Sequence, residues 1–153
     1  MAPYLFAGIP VSHYPTALAW YNQLLGQEPA FFPNDTEAAW EVGDRRYLYI
    51  EERTDRAGGA VVTLLVDDLD GYVAQIASRG IEPVKEETYE NGVRKVIYND
   101  PEGNEIGFGP SPDLAGWRSP DPAVERSPHR RHQHHRHNAR RVVAARDDLH
   151  ASS

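Results

Sequence analysis

The sequence has 153 residues, and 40% of them are hydrophobic, which is enough apolar material for the core of one domain. It contains no cysteine, which excludes disulfide scaffolds and thiolate metal sites. Its formal net charge of −7 divides unevenly: residues 1–110 hold 8 basic and 18 acidic residues, whereas residues 111–153 hold 8 and 5. An acidic domain argues against nucleic acid as a partner, because phosphate-binding surfaces need clustered Lys and Arg. Neither a signal peptide nor a long apolar run is recognisable, so we expect a cytoplasmic protein that does not span a membrane.

Composition changes abruptly after Pro110. Residues 111–153 hold six of the seven histidines and few large apolar side chains, so burial of their surface cannot offset the entropy of ordering them. We therefore predict a domain over residues 1–110 followed by a disordered tail over 111–153. The His- and Arg-rich run at 129–137 could bind nickel, zinc or an anionic surface, although a solvated low-complexity tail is the simpler interpretation.

The domain contains one pattern twice. In each copy a strand-like run, Tyr4–Val11 or Ala60–Val66, leads through a polar cap into a helical stretch that ends at Gly26 or Gly80. Three strand candidates follow each helix, at Pro29–Pro33, Glu37–Val42 and Arg46–Glu51 in the first copy and at Pro83–Thr88, Val93–Tyr98 and Glu105–Phe108 in the second. The sequence thus predicts an α+β fold of two βαβββ modules, residues 4–52 and 60–109.

The duplicated module, together with residues 17–21 (ALAWY) in the first helix and residues 99–104 (NDPEGN) near the end, resembles the vicinal oxygen chelate superfamily. Its members include glyoxalase I, extradiol dioxygenases, fosfomycin-resistance transferases and bleomycin-binding resistance proteins. The resemblance covers about residues 4–109 and implies curved mixed sheets around a concave cup. It also implies a homodimer, because members commonly complete their cups by pairing two chains.

The resemblance also indicates where a metal would be held. Members that bind metal have His on the first strand of each module and an acidic ligand late in each module, and here Phe6 and Val61 stand at the histidine positions and Gly107 at the final acidic one. These residues cannot ligate a metal, so we expect no metal cofactor. The alternative is one divalent ion held by a rearranged ligand set, which would consist of Glu51, Glu105 and His13. His13 has a simpler interpretation as a cap of the first helix.

With apolar residues at the metal positions, the predicted cup is mainly aromatic. Ligand-binding candidates on the predicted strands are Phe6, Trp40, Tyr47, Tyr49, Arg94, Tyr98 and Glu105. For each aromatic side chain, ordinary core packing is the competing interpretation. Such a cup suits a planar, electron-rich or cationic guest.

Three functions remain open at this point. The first is metal-independent binding of a small aromatic or cationic molecule, such as an antibiotic or toxin that is sequestered without being altered. The second is a metal-dependent glyoxalase, dioxygenase or transferase with the altered ligand set. The third is a regulatory or structural partner whose cup is filled by its own side chains.

Overall fold

The computed structural model describes residues 2–112, so the predictions for the tail lie almost entirely outside the described residues. The elements in chain order are β1 (Leu5–Val11), α1 (Tyr14–Leu25), β2 (Phe31–Asn34), β3 (Glu37–Gly43), β4 (Arg46–Glu52), β5 (Val61–Val66), α2 (Leu69–Ser78), β6 (Lys85–Thr88), β7 (Arg94–Asn99) and β8 (Glu105–Pro110). The predicted α+β fold with two βαβββ modules is confirmed. Within the described residues neither helix is long and apolar enough to cross a membrane.

Each module forms one four-stranded mixed sheet. The first sheet has the strand order β1-β4-β3-β2 and the second has β5-β8-β7-β6. In both, the first strand of the module pairs in parallel with its last strand, and the remaining pairs are antiparallel. The parallel pair needs a long crossover, which the helix and the two intervening strands supply.

The helix ends follow local chemistry. His13 occupies the N-cap of α1, but its side chain makes no capping hydrogen bond, and the helix ends at Gly26 in a left-handed conformation with φ of 67°. Asp68 caps α2 conventionally, because its Oδ1 accepts a hydrogen bond of 3.0 Å from the amide of Gly71. In both modules the helix begins three residues after the last residue of the first strand.

The two modules share one hydrophobic core. Alternate strand residues such as Ile9, Leu48 and Phe108 are fully buried, together with Tyr21 of α1 and Ile76 of α2. Because alternate residues of a strand point to opposite sides of the sheet, the helix-facing side of each sheet is buried in this core. The other side of each sheet, which we call its open face, turns away from it.

Two helices that pack together hold the modules in this arrangement. The Arg79 side chain, just after α2, donates hydrogen bonds to the carbonyl oxygens of Gln23 and Leu24 in α1, the latter at 2.9 Å. A second link between the modules lies away from the helices, where the Asn104 side-chain amide donates to the carbonyl oxygen of Pro10 in β1 at 2.9 Å. The open faces are thus positioned by a core that belongs to both modules.

Candidate functional site

Aromatic and acidic side chains occupy the open face of the first sheet. The strand registers place on this face Phe6, Gly8, Phe31, Glu37, Ala39, Glu41, Tyr47, Tyr49 and Glu51. Their neighbours along each strand, such as Leu48 and Ile50, point into the core. The alternation of strand residues therefore separates an aliphatic interior from an aromatic surface.

Four rings on this face form an aromatic cluster, which we define as Phe6, Phe31, Tyr47 and Tyr49. The rings of Phe6 and Tyr47 stack with centroids 4.7 Å apart and planes 7° from parallel. Phe31 packs edge-on against Phe6 at 6.2 Å, and Tyr49 does so at 6.3 Å. Phe6 is nevertheless 41% exposed, as is Phe31, so the cluster offers ring surface to a second molecule.

Gly8 allows one of these rings to lie flat across β1. A Cβ atom at this position would stand 2.7 Å from both Cζ and Oη of Tyr49, closer than two non-bonded atoms can approach. The Tyr49 ring is thereby held against the sheet and buried, and burial followed by the charge of Glu51 raises its pKa to about 12. Its hydroxyl therefore stays protonated at neutral pH.

Two carboxylates oppose each other beside the cluster. Glu37 and Glu51 are direct partners in the β3–β4 register, an arrangement that is unfavourable for two like charges. Partial burial, and secondarily the charge of Glu37, raise the pKa of Glu51 above its ordinary value. A cation placed between the rings and these carboxylates would relieve the repulsion and could lie over an aromatic face.

The open face of the second sheet has a different character. Its registers place on this face Val61, Thr63, Leu65, Lys85, Glu87, Lys95, Glu105 and Gly107. Val61 and Leu65 are 56% and 43% exposed. Lys85 forms an ion pair with Glu87 at 2.8 Å, so this face combines exposed aliphatic surface with both lysines of the chain.

Four predicted ligand-binding residues lie on open faces. Phe6, Tyr47 and Tyr49 belong to the aromatic cluster of the first sheet, and Glu105 lies beside Val61 on the second. Glu105 and the three rings therefore belong to the open faces of two different sheets.

Trp40 and Tyr98 require a correction, since both are fully buried on helix-facing sides. The Trp40 indole donates hydrogen bonds to Oδ1 of Asn22 at 3.0 Å and to the carbonyl oxygen of Gln27 at 3.2 Å. Tyr98 packs edge-on against Phe108 with centroids 5.7 Å apart. For these two residues the competing interpretation, core packing, is the one the structure supports.

Arg94 also lies away from the open faces. Its guanidinium bonds Asp70 of α2 and Glu86 of β6, both at 2.7 Å, and these partners raise its pKa. It therefore ties the second sheet to its own helix and is not available to a guest on the open face.

The three positions at which the resemblance leads us to expect metal ligands do not fit a metal in this chain. Phe6, Val61 and Gly107 offer no donor side chain, and no group of three or more His, Cys, Asp or Glu side chains in residues 2–112 could hold a metal ion. The alternative ligand set is not assembled either. His13 begins α1, Glu51 lies on the first sheet, and Glu105 lies on the second.

Phe31 and Lys95 are open-face residues that the sequence analysis did not select. Phe31 sits among aromatic and proline residues in the second strand of the module, with no clear alternation to assign its side. Lys95 could have been found, because it differs in parity from Val96 and Tyr98, and only one parity can face the helix. Arg94 and Tyr98, which the sequence suggested as ligand-binding residues, share the helix-facing side of β7.

Comparison with known proteins agrees with this architecture. Residues 4–108 match the family model described as the glyoxalase/bleomycin resistance protein/dioxygenase superfamily. A crystal structure described as a glyoxalase/bleomycin resistance protein from Catenulispora acidiphila DSM 44928 is 52% identical, with a TM-score of 0.70, over 72% of this chain and all of that one. No curated protein matches the sequence significantly.

More distant structures share the fold. A bleomycin-binding protein in complex with bleomycin is 20% identical with a TM-score of 0.59, over 72% of this chain and 99% of that one. A lactoylglutathione lyase from Agrobacterium tumefaciens is 19% identical with the same TM-score, over 72% and 94% of the two chains. One architecture thus accommodates both a named drug-binding protein and a named enzyme, so fold alone does not decide between them.

Proposed function

The chain belongs to the glyoxalase/bleomycin resistance protein/dioxygenase superfamily, and from that premise we propose that it binds a small aromatic or cationic molecule without the help of a metal. Binding of this kind sequesters an antibiotic or toxin and needs no nucleophile or general base. The guest would lie against the aromatic cluster, with the carboxylates of Glu37 and Glu51 beside it.

The exposed stack of Phe6 on Tyr47 carries this proposal. Two aromatic rings that stack on a sheet surface and remain open to solvent leave apolar area unburied, at a cost that a planar guest would remove. Ring stacking contributes about 0.5–1.5 kcal/mol beyond the area buried, and a cation over a ring adds a comparable amount. The neighbouring carboxylates favour a positively charged guest by direct attraction.

We further propose that two copies of the chain pair to form the complete cup. Within residues 2–112, the exposed Phe6 of the first sheet and the exposed Val61 and Leu65 of the second point away from the shared core. These side chains are left exposed within one chain, and a second copy would cover them and enclose a guest between two sheets. Each dimer would then contain two equivalent cups, as expected for a twofold arrangement.

The test is a binding titration of the full chain with two probes, benzyltrimethylammonium and bleomycin, followed by tyrosine fluorescence or calorimetry. We expect Phe6→Ala to weaken binding at least tenfold, since it removes the central ring of the cluster. Phe32→Ala is the matched control, because Phe32 is 57% exposed but adjoins Phe31 on the opposite side of β2. Equal affinity of wild type and Phe6→Ala for a probe that binds would place the binding site elsewhere.

A further inference from the structure

Lys95 lies opposite the carboxylate of Glu87 in the strand register but forms no ion pair with it. Its register partner across β6 and β7 is Glu87, yet Glu87 forms its ion pair with Lys85 at 2.8 Å. Among residues 2–112 the Lys95 ammonium makes no ion pair within 4 Å and no hydrogen bond. The ammonium is thus left without a bonded partner among the described residues, although its charge contributes to the lowered pKa of Glu87.

The Lys95 side chain runs in the other direction, across β8. A Cβ atom on Gly107 would lie 2.6 Å from Cε of Lys95 and 3.6 Å from its Nζ. The lysine stem therefore occupies the space that any larger residue at 107 would need. The absence of a side chain at Gly107 lets the ammonium reach the middle of the second sheet's open face.

The hydroxyl group of Thr63 lies close to the same position above Gly107. Oγ1 of Thr63, on β5, lies 3.4 Å from that same Cβ position of Gly107. Thr63 is exposed, and its hydroxyl has no hydrogen-bond partner among the described residues. An ammonium and a free hydroxyl donor consequently converge above one glycine on a surface open to solvent.

We propose that Lys95 and Thr63 form a subsite for the carboxylate of a small ligand, over the backbone of Gly107. A charge-assisted bond from the ammonium and a second bond from the hydroxyl match the two oxygens of a carboxylate. This face carries two lysines and two glutamates, Glu87 and Glu105, so its net charge is zero. A neutral face favours a monoanion over a phosphate dianion. The inference rests on the proposed function in that it assigns the open face of the second sheet to ligand binding.

The experiment is an NMR titration of the full chain, following backbone amide shifts, with benzoate and with its neutral counterpart benzamide. We expect benzoate to shift the amides of Gly107 and Thr63 and to bind about tenfold more tightly than benzamide, a ratio typical of one added charged contact. Lys95→Gln should abolish this preference. Lys85→Gln, which removes the same charge from the same face, should keep it.

A second variant tests the geometry without removing a charge. Gly107→Ala places a methyl group where the lysine stem lies, and the flexible stem can move aside without disturbing the fold. We expect this variant to reduce the preference for benzoate although Lys95 is still present. Retention of the full preference in Lys95→Gln, or its equal loss in Lys85→Gln, would overturn the subsite.

The titration also separates this subsite from the function proposed above. Shifts confined to the first sheet, equal for benzoate and benzamide, would support the aromatic site and refute the carboxylate subsite. Shifts confined to Gly107 and Thr63 would support the subsite and count against the aromatic cluster. If neither the first sheet nor Gly107 and Thr63 showed shifts at probe concentrations up to roughly 50 mM, both the aromatic site and the carboxylate subsite would be refuted.

Discussion

The Tyr21 hydroxyl donates a hydrogen bond of 2.9 Å to Oδ2 of Asp100, and this bond joins α1 of the first module to the β7–β8 turn of the second. Asp100 is almost fully buried, and its carboxylate also accepts bonds from the backbone amides of Glu102 and Asn104, each at 2.9 Å. Burial and the negative charge of Asp100 raise the pKa of Tyr21 far above its usual range, so the hydroxyl stays protonated and remains a donor. The charge is thus satisfied inside the interface between the modules.

Two buried tyrosines give opposite predictions on conversion to phenylalanine. Tyr21→Phe removes a donor from a buried carboxylate and should lower the free energy of unfolding by about 2 kcal/mol. Tyr98→Phe should leave it unchanged or raise it, because the buried Tyr98 hydroxyl has no hydrogen-bond partner among the described residues. Urea denaturation measures both, and equal destabilisation by the two changes would contradict this assignment.

The close approach of Gly8 to Tyr49 predicts a steric conflict on substitution. Gly8→Ala should destabilise the domain by about 1–3 kcal/mol, as overpacking does, and should turn the Tyr49 ring away from β1. Gly59→Ala is the matched control, because the nearest atom to a Cβ there lies 3.9 Å away. In a Tyr49→Ala background, Gly8→Ala should lower the free energy of unfolding much less. An equal loss of stability in that background would show that the Tyr49 ring does not cause the conflict.

The raised pKa of Glu51 predicts a pH-dependent gain in stability. A carboxyl whose pKa is raised by folding favours the native state only below its ordinary value of 4.5, and that contribution is lost as the pH rises through the native-state pKa. Glu51→Gln should therefore be more stable than wild type at pH 7, and the difference should shrink toward pH 4. Thermal unfolding at both pH values measures this.

The control for Glu51 is the same chemical change at another acidic residue of the open face. Glu41→Gln alters a residue opposite Tyr47, not opposite a second carboxylate. We expect it to leave the stability difference between pH 7 and pH 4 as in wild type. A pH response shared by both variants would mean that general charge reduction, and not the Glu37–Glu51 opposition, accounts for the effect.

The proposed pairing of chains predicts that one charge on an open face will block assembly. Val61→Asp should convert a dimer to monomers in sedimentation velocity, because an unpaired carboxylate would be buried against the partner. Val84→Asp is the control, since Val84 is as exposed as Val61 but lies outside the open-face strands. A monomeric wild type, or a dimer that survives Val61→Asp, would refute this interface.

The fold was largely predictable because its signals are local. Glycine stops, polar caps and hairpin turns mark the element boundaries in sequence, and the repeat of one pattern makes each copy support the other. In β4 the residue types follow the two sides of the strand, because aliphatic Leu48 and Ile50 lie in the core and Tyr47 and Tyr49 lie on the open face.

The same alternation was ambiguous where both sides of a strand carry candidates. In β7 the sets Arg94, Val96, Tyr98 and Lys95, Ile97, Asn99 each contain polar and apolar residues. Burial of Tyr98 and pairing of Arg94 with Asp70 depend on where α2 packs. Trp40 illustrates the related problem that a large ring serves a core and a binding surface equally well.

By itself the sequence determined the two βαβββ modules, because their elements depend on residue type and on contacts between near neighbours. Only the tertiary structure decided which side of each strand is open, that Trp40, Arg94 and Tyr98 are absent from those faces, and that Lys95 crosses Gly107 toward Thr63. The physical reason is that strand periodicity divides side chains between two faces, whereas the packing of distant helices selects the face that is buried.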